Sequence, residues 1–274
     1  MKWIELSEAP DESRYKRLSE FLRKNSIENE FASLKVDSDH FYEELEKAKS
    51  EFDQIKIGLS FGVSAMDFST SNPSQTETIG TADSYFHKDN QWWMRNYDYL
   101  AAQNLLSNVG NQFKSSQAAL IVGSGPMARV MFSALSKLGY KRVDFINLET
   151  ERGKELLEHL SRNFFDVEIQ YIFQHDLVQL SGTHNLLINT IPYKDEFKSF
   201  FDEISFFNFL QENSMVWDVS GYFNKTALLE RAAMAKFPII SGDNFFSRSD
   251  LIWANEIFNA NLDIQKYLED LSGV

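Results

Sequence analysis

The chain has no cysteine, only 5 prolines and 12 glycines among 274 residues, and no long apolar run. Without cysteine there are no disulfides and no thiolate metal ligands, which fits a reducing compartment. No low-complexity tract and no internal repeat is visible. No stretch approaches the roughly 20 apolar residues that cross a bilayer, and the opening MKWIELSEAPDE carries no apolar signal core. Positive charge is also scarce. Lys and Arg number 27 against 40 Asp and Glu, for a net charge of −13, which repels nucleic acid and anionic membranes. The five histidines (His40, His87, His159, His175, His184) show no metal-ligand spacing, so no metal site is expected. No nucleophile elbow is present. These absences predict a cytoplasmic acidic globular protein with no nucleic-acid or membrane partner; a small-molecule substrate is the expected partner and a homodimer the possible assembly, though no feature of the sequence sets the oligomeric state.

Core material is plentiful: 43% of residues are hydrophobic and 24 are Phe. DESRYKRLSEFLRK (Asp11 to Lys24) spaces Tyr15, Leu18, Phe21 and Leu22 along one helical face. FASLKV (Phe31 to Val36) alternates as a strand. HFYEELEKAKSEFD follows as a helix capped near Asp37 or Ser38, its charged face solvated, and IKIGLSF (Ile55 to Phe61) is strand-like again. Ser69 to Thr78 reads as a polar loop. Trp92 to Gly110 runs from a strand end into a connecting helix. Trp92 and Trp93 are expected to pack where two domains join, with stacking on a ligand as the alternative.

The next unit is clearer. QAALIVG is a short apolar strand, SGPM a turn, ARVMFSALSKLGY a helix closing at Gly139, and KRVDFINLE a second strand. Further strands fall at VEIQYIF, NLLINTI and SMVWDVS, and SDLIWANEIFNANLDIQKYLEDL is largely helical. FFNFL and DNFFS are read as core, with Phe245 or Phe246 alternatively lining an apolar pocket. Alternating helix and strand predicts an α/β protein of two domains joined near residues 99–110.

The turn IVGSGPMARV places Gly123, Gly125 and Ala128 at the spacing G-x-G-x-x-A between strand and helix. Such a turn needs one glycine to bend and a second to let backbone approach a pyrophosphate. The third position must be small for helix–strand packing. Ser124, Pro126 and Met127 complete the candidate cradle, and proline costs little in a first helical turn. A carboxylate at the end of the second strand pairs with ribose hydroxyls and repels a 2′-phosphate. Glu149 lies 24 residues past Gly125 and, with Leu148 beside it, favours NAD over NADP. Asn147 precedes them, and Arg152 follows closely enough to blur that preference.

Three segments together resemble the shikimate dehydrogenase family. IGTADSYFHKDNQWWMRNYDY (Ile79 to Tyr99) is similar to its I-G-A-V-N-T…G-x-N-T-D-G block. LLINTIPY (Leu186 to Tyr193) is similar to I-I-N-A-T-P, and VWDVSGYFNKTALLERA (Val216 to Ala232) to D-x-x-Y-x-P-x-x-T-x-L-L. The resemblance implies an N-terminal α/β substrate domain (1–100), a Rossmann-like NAD(P)-binding domain (101–250), and a C-terminal helix (251–274) packing back on the first, with the site in the cleft between domains. It implies Asp98 as the catalytic acid–base, and Asn96, Asp83, Ser249 and Tyr222 as substrate contacts. Thr190, Ile191 and Gly242 become further contacts to NAD or NADP.

The departures from that family are specific. Its catalytic Lys falls on Gly62, its carboxylate-binding S-x-S falls near Glu12-Ser13-Arg14, and the Thr of its V-T step is Gly58. Its Asn is Asp83, its Tyr is Gly221 with Tyr222 adjacent, its late Gln is Ser249, and its phosphate-reading Arg is Leu148. Lys56, six residues before Gly62 and of the same strand parity, is read as solvated, with a place in the cleft as the alternative. The losses fall on polar contacts to substrate. They predict an NAD(P)-dependent oxidoreductase interconverting a hydroxyl and a ketone on a small polar molecule other than shikimate; the alternative is a non-catalytic ligand-binding protein on the same fold. A tRNA-reductase use of the domain is disfavoured by the missing cysteine and the acidic charge.

Overall fold

The computed structural model describes residues 1–68, 74–109, 118–146, 150–180, 182–192, 194, 198–220 and 226–272. The chain divides into two compact units: Met1–Leu100 with Ser247–Val274, and Ala101–Phe246. The division falls inside two helices, α4 (Tyr97–Val109) and α9 (Gly242–Ile257). Among the described residues, no helix is long and apolar enough to cross a membrane.

The first unit is built on a five-stranded sheet of order β2-β1-β3-β4-β5, formed by β1 (Lys2–Ser7), β2 (Glu30–Lys35), β3 (Gln54–Ile57), β4 (Ser84–Lys88) and β5 (Gln91–Arg95). β1 runs parallel to β2 and β3, while β4 and β5 turn back as an antiparallel hairpin. The hairpin closes on Asp89 and Asn90, both with positive φ (53° and 60°), the conformation a two-residue turn needs to match strand twist. Successive residues of β1 face opposite sides. Ile4 and Leu6 join Ile55, Ile57, Leu45 and Phe61 in one apolar cluster, the side of α2 (Phe41–Glu51). Trp3 joins Tyr15, Leu18, Tyr97, Trp253 and Tyr267 in another, which α1 (Glu12–Lys24), α9 and α10 (Ile264–Ser272) help to form. β1 is therefore buried on both faces. The sequence pattern misses it because Lys2 and Glu5 interrupt the apolar run.

Other local expectations shift. The strand read over Ile55–Phe61 ends at Ile57, and Gly58 turns the chain into a short 3-10 segment, Leu59–Phe61. Gly58 lies against β1 so closely that a Cβ there would stand 2.3 Å from Ser7 Oγ and 2.9 Å from Ser7 Cα. The helix expected from Asp37 or Ser38 begins instead with a 3-10 turn, Ser38–His40, with no side-chain cap from Asp37, before α2 proper. Part of the expected polar loop is helix α3 (Ser74–Ile79); the rest, 69–73, lies outside the described residues. Trp92 and Trp93 stand on β5. Trp92 packs against the α2-side cluster, and Trp93 donates its Nε1–H to the Lys88 carbonyl.

The second unit carries a six-stranded parallel sheet of order β11-β10-β9-β6-β7-β8. Its strands are β6 (Ala118–Val122), β7 (Arg142–Ile146), β8 (Glu168–Ile172), β9 (His184–Asn189), β10 (Leu210–Asp218) and β11 (Ile239–Ile240). Helices α5 (Pro126–Lys137), α6 (Thr150–Asn163), α7 (Lys198–Ile204) and α8 (Ala227–Met234) alternate with them. Read in chain order within the unit, the strands are arranged 3-2-1-4-5-6, the doubly wound order whose direction reverses between β6 and β9. Leu120, Val122, Leu187, Val216, Phe200, Phe209 and Leu228 fill one apolar cluster of this unit. Of the segments read as core, Phe207, Phe209, Phe245 and Phe246 are buried, but Phe206 is exposed on the turn after α7. Phe245 packs edge-on to Trp217, which supports the core reading of DNFFS over a pocket wall.

His184 is fully buried and reaches past Ala118 and Ala119 of the intervening β6 to Asp144, Nε2 to Oδ2 at 2.8 Å. Arg142 adds two bonds to the same carboxylate, at 3.0 and 2.8 Å. Burial alone would raise Asp144, but the hydrogen bonds and charges of His184 and Arg142 hold it below the usual carboxylate range. This histidine ties strands together at the end of the sheet opposite the glycine turn.

Candidate functional site

The second unit places Gly123, Ser124 and Gly125 directly after β6, at the strand-order reversal where open parallel sheets bind ligands. Gly123 has φ +112°, and a Cβ there would fall 2.4 Å from Thr190 Oγ1 and 2.8 Å from Ile191 Cγ2. Thr190, just past β9, is held in turn by its Oγ1 donating to the Val122 carbonyl at 2.6 Å. Two strand ends thus lock each other through a position only glycine fills without strain. Gly125 is the opposite case, with nothing within 4 Å of where a Cβ would stand. Gly125 is also the N-cap of α5, with no side-chain cap and Pro126 in the first turn; its carbonyl takes the Ala128 N–H at 3.0 Å, and the positive dipole end of the helix is left without a side-chain anion. Met127 and Ala128 are buried beneath it. The open backbone and the uncapped helix start together suit a phosphate group.

Behind this turn lies a polar knot absent from the sequence reading. Asp218, at the end of β10, accepts from Asn189 Nδ2 at 2.9 Å, Ser220 N at 2.9 Å, Ser220 Oγ at 2.6 Å and Thr226 Oγ1 at 2.5 Å. Asn189 also donates to the Ile191 carbonyl and accepts from its N–H, which fixes Ile191 beside the cradle. Gly242 begins α9 and is buried. Asn147, Leu148, Glu149, Gly221 and Tyr222 lie outside the described residues.

The first unit gathers the remaining candidates. Asn96 caps α4: its Oδ1 accepts the Tyr99 N–H at 2.8 Å and its Nδ2 donates to the Thr81 carbonyl at 2.9 Å. Both ends of its amide are therefore engaged. Asp83 Oδ2 accepts the Asp98 backbone N–H at 2.7 Å, which sets a carboxylate at the helix start where the dipole favours it. Ser249, on α9, donates its Oγ–H to Asp98 Oδ1 at 2.6 Å. Asp98, Asp83, Asn96 and Ser249 are all buried within one neighbourhood.

Around them is a charged cluster that sequence reasoning did not assemble. Ser33, Glu5, Lys56, Ser84 and Arg95 occupy successive strands at matching register, one polar row across the sheet. Arg14 of α1 pairs with Asp250 of α9 through bonds of 2.9 and 2.6 Å. Lys56, read from the sequence as solvated, is only 2% exposed. Strand alternation turns it away from Ile55 and Ile57, and the cover of α4 and α9 closes over it, its Nζ lying 5.6 Å from the Tyr97 ring centroid and 5.5 Å from that of Trp253. Burial pushes the Glu5 carboxyl from an ordinary 4.5 to about 7, against the Asp11 N–H and Arg14. Burial likewise raises Asp83 from 3.8 to about 6, opposed by Lys56 and assisted by Asp98, and raises Asp250 against Arg14. Glu12 is exposed and pairs with Lys16. Among the described residues, no three His, Asp or Glu side chains are placed to hold a metal.

No family model matches the chain. A shikimate dehydrogenase (NADP(+)) of Bacillus cereus is 22% identical over 128 residues, 47% of this chain and 45% of that protein. The chain thus spans about half the length of the curated relatives it matches. In three dimensions the likeness runs the full length. The shikimate dehydrogenase of Aquifex aeolicus superposes with a TM-score of 0.82 at 14% identity, over 99% of this chain and 97% of that one. A quinate dehydrogenase from Corynebacterium glutamicum, in complex with NAD, gives 0.83 at 12% identity over 100% and 99%. The chain has the two-domain α/β fold of the shikimate dehydrogenases, with a Rossmann-like second unit.

Proposed function

We propose that the chain is an NAD(P)-dependent oxidoreductase that interconverts a hydroxyl and a ketone on a small polar molecule other than shikimate. The cradle carries this reading: Gly123 locked by Thr190, Gly125 open, and the uncapped start of α5 at the strand-order reversal. These residues fit a dinucleotide, with Gly123 to Ala128 at its phosphates and Thr190, Ile191 and Gly242 as further contacts. When bound, the nicotinamide supplies the hydride acceptor or donor. Glu149 and Leu148 favour NAD, the nucleotide that accompanies the C. glutamicum quinate dehydrogenase of the same fold.

Asp98 is assigned the proton. Ser249 occupies its Oδ1, which leaves Oδ2 without a hydrogen bond among the described residues to take or return the proton of a substrate hydroxyl. Asp83, Ser249 and Tyr222 are the substrate-side contacts in this reading. Asn96, with both amide ends engaged, acts as the helix cap that fixes Asp98's backbone. Shikimate is disfavoured by its carboxylate. Gly62 stands where the resemblance puts lysine, and Arg14, at the place of the carboxylate-binding serines, is already committed to Asp250.

Titration with NADH and NADPH, followed by nicotinamide fluorescence and energy transfer from tryptophan, tests the reading. Micromolar NADH binding supports it and directs a screen of neutral alcohols and ketones. Tighter NADPH binding overturns the Glu149 assignment and keeps the oxidoreductase. Binding of neither favours a non-catalytic ligand-binding protein, a second reading motivated by Gly62.

A further inference from the structure

We propose that Lys56 is a positioning residue for Asp98, acting through Asp83 as a buried ion pair that takes the place of the lysine missing at position 62. The inference deepens the reading above and rests on its assignment of the proton to Asp98.

Three observations join. First, Lys56 Nζ stands 4.0 Å from Asp83 Oδ1, and both side chains are nearly inaccessible. That Oδ1 accepts no hydrogen bond among the described residues. Second, the other oxygen of the same carboxylate holds the Asp98 backbone N–H, so the charge on Asp83 sets the strength of the bond that fixes the start of α4. Third, the Gly62 carbonyl accepts the Ala82 N–H at 2.9 Å, so the segment that lacks its lysine still lies against the residue preceding Asp83. A buried carboxylate needs a nearby cation or it takes a proton. Here the cation comes from β3, and the faces of Tyr97 and Trp253 help to hold its ammonium away from water.

Two departures from the family pattern then become one. The family has Asn where this chain has Asp83, and Lys56 supplies the charge that makes an aspartate tolerable there. The groups facing Asp83 are Lys56 from β3 and Asp98 and Tyr97 from α4, and they act in opposite directions. Burial and the Asp98 charge favour the protonated acid, while Lys56 and the two amides favour the carboxylate. Removing Lys56 leaves a neutral Asp83 and a weaker grip on Asp98.

The experiment follows the Asp98 backbone amide by 1H–15N spectroscopy of the full chain as pH is varied, with no substrate or cofactor present. In the wild type this amide is expected to report protonation of Asp83 as a step near pH 6. In Lys56→Met the step is expected at least one pH unit higher, a tenfold change in proton affinity. In the double variant Lys56→Met/Asp83→Asn the chain is expected to fold with no step. A step at the wild-type pH in Lys56→Met overturns the proposal. If Lys56→Met unfolds and the double variant does not, the pairing stands; if both unfold, it is overturned. Cofactor titration reads the oxidoreductase assignment separately, so either can fail alone.

Discussion

Arg14 grips Asp250 across 236 residues of sequence, its Nε–H donating at 2.9 Å and its Nη2–H at 2.6 Å. Both side chains are buried, and the pair ties α1 to α9 within the first unit. Breaking a buried pair from one side leaves an uncompensated charge. Arg14→Met is therefore expected to destabilise the first unit by about 3–5 kcal/mol. Arg14→Met/Asp250→Leu should recover most of that loss. Urea unfolding of both variants measures the difference, and equal destabilisation would contradict the pairing energetics.

Stability of the first unit should fall as pH rises. Glu5, raised by burial to about 7, binds its proton more tightly in the folded chain than in the unfolded one. Its stabilising share is whole below about pH 4.5 and is lost as pH climbs through 7. Asp83 adds the same sign between 3.8 and about 6. Glu5→Gln is expected to match the wild type at pH 4 and to exceed it by about 3 kcal/mol at pH 8. Thermal melts across that range provide the check.

The two glycines of the cradle should separate stability from binding. Gly123→Ala forces a left-handed backbone on alanine and drives its Cβ into Thr190, so both melting temperature and NADH affinity should drop. Gly125→Val meets open space and should leave the melting temperature nearly unchanged while weakening NADH binding at least tenfold. A Gly125→Val protein that binds NADH as well as the wild type would remove the phosphate from that turn.

For turnover, Asp98→Asn keeps a side chain of the same shape beside Ser249 but gives up the base. With a substrate found by the screen, kcat is expected to fall about 10²- to 10⁴-fold while NADH binding is retained. Ser249→Ala should cost less, because it frees an oxygen of Asp98 without removing its charge. Stopped-flow hydride transfer separates this from slow product release.

Much of the second unit could be read directly from the chain. Strand, glycine turn and helix follow one another locally, and each obeys a short-range rule that needs no distant partner. The first unit was less legible because its decisive residues meet across long separations. β1 is broken by Glu5, whose burial makes sense only with Lys56 and Ser33 beside it in register. Lys56 reads as an ordinary surface lysine until Trp253, almost two hundred residues later, closes over it. The hairpin turn at Asp89-Asn90 was the missed signal that sequence could have supplied. The network at Asp218 had only a weak one, hydroxyl residues two and eight positions downstream.

The first unit is assembled from both ends of the chain, Met1–Leu100 and Ser247–Val274, with the second unit as one uninterrupted stretch between them. During synthesis the earliest residues emerge long before their partners exist. Trp3, Tyr15 and Leu18 must wait for Leu251, Trp253 and Tyr267, while the Rossmann-like unit has everything it needs as soon as residue 246 has left the ribosome. The acquisition of order therefore runs against the order of translation, and a chain whose residues from 247 onward are still inside the ribosome would carry a finished second unit behind an unfinished first, its apolar face open to chaperones.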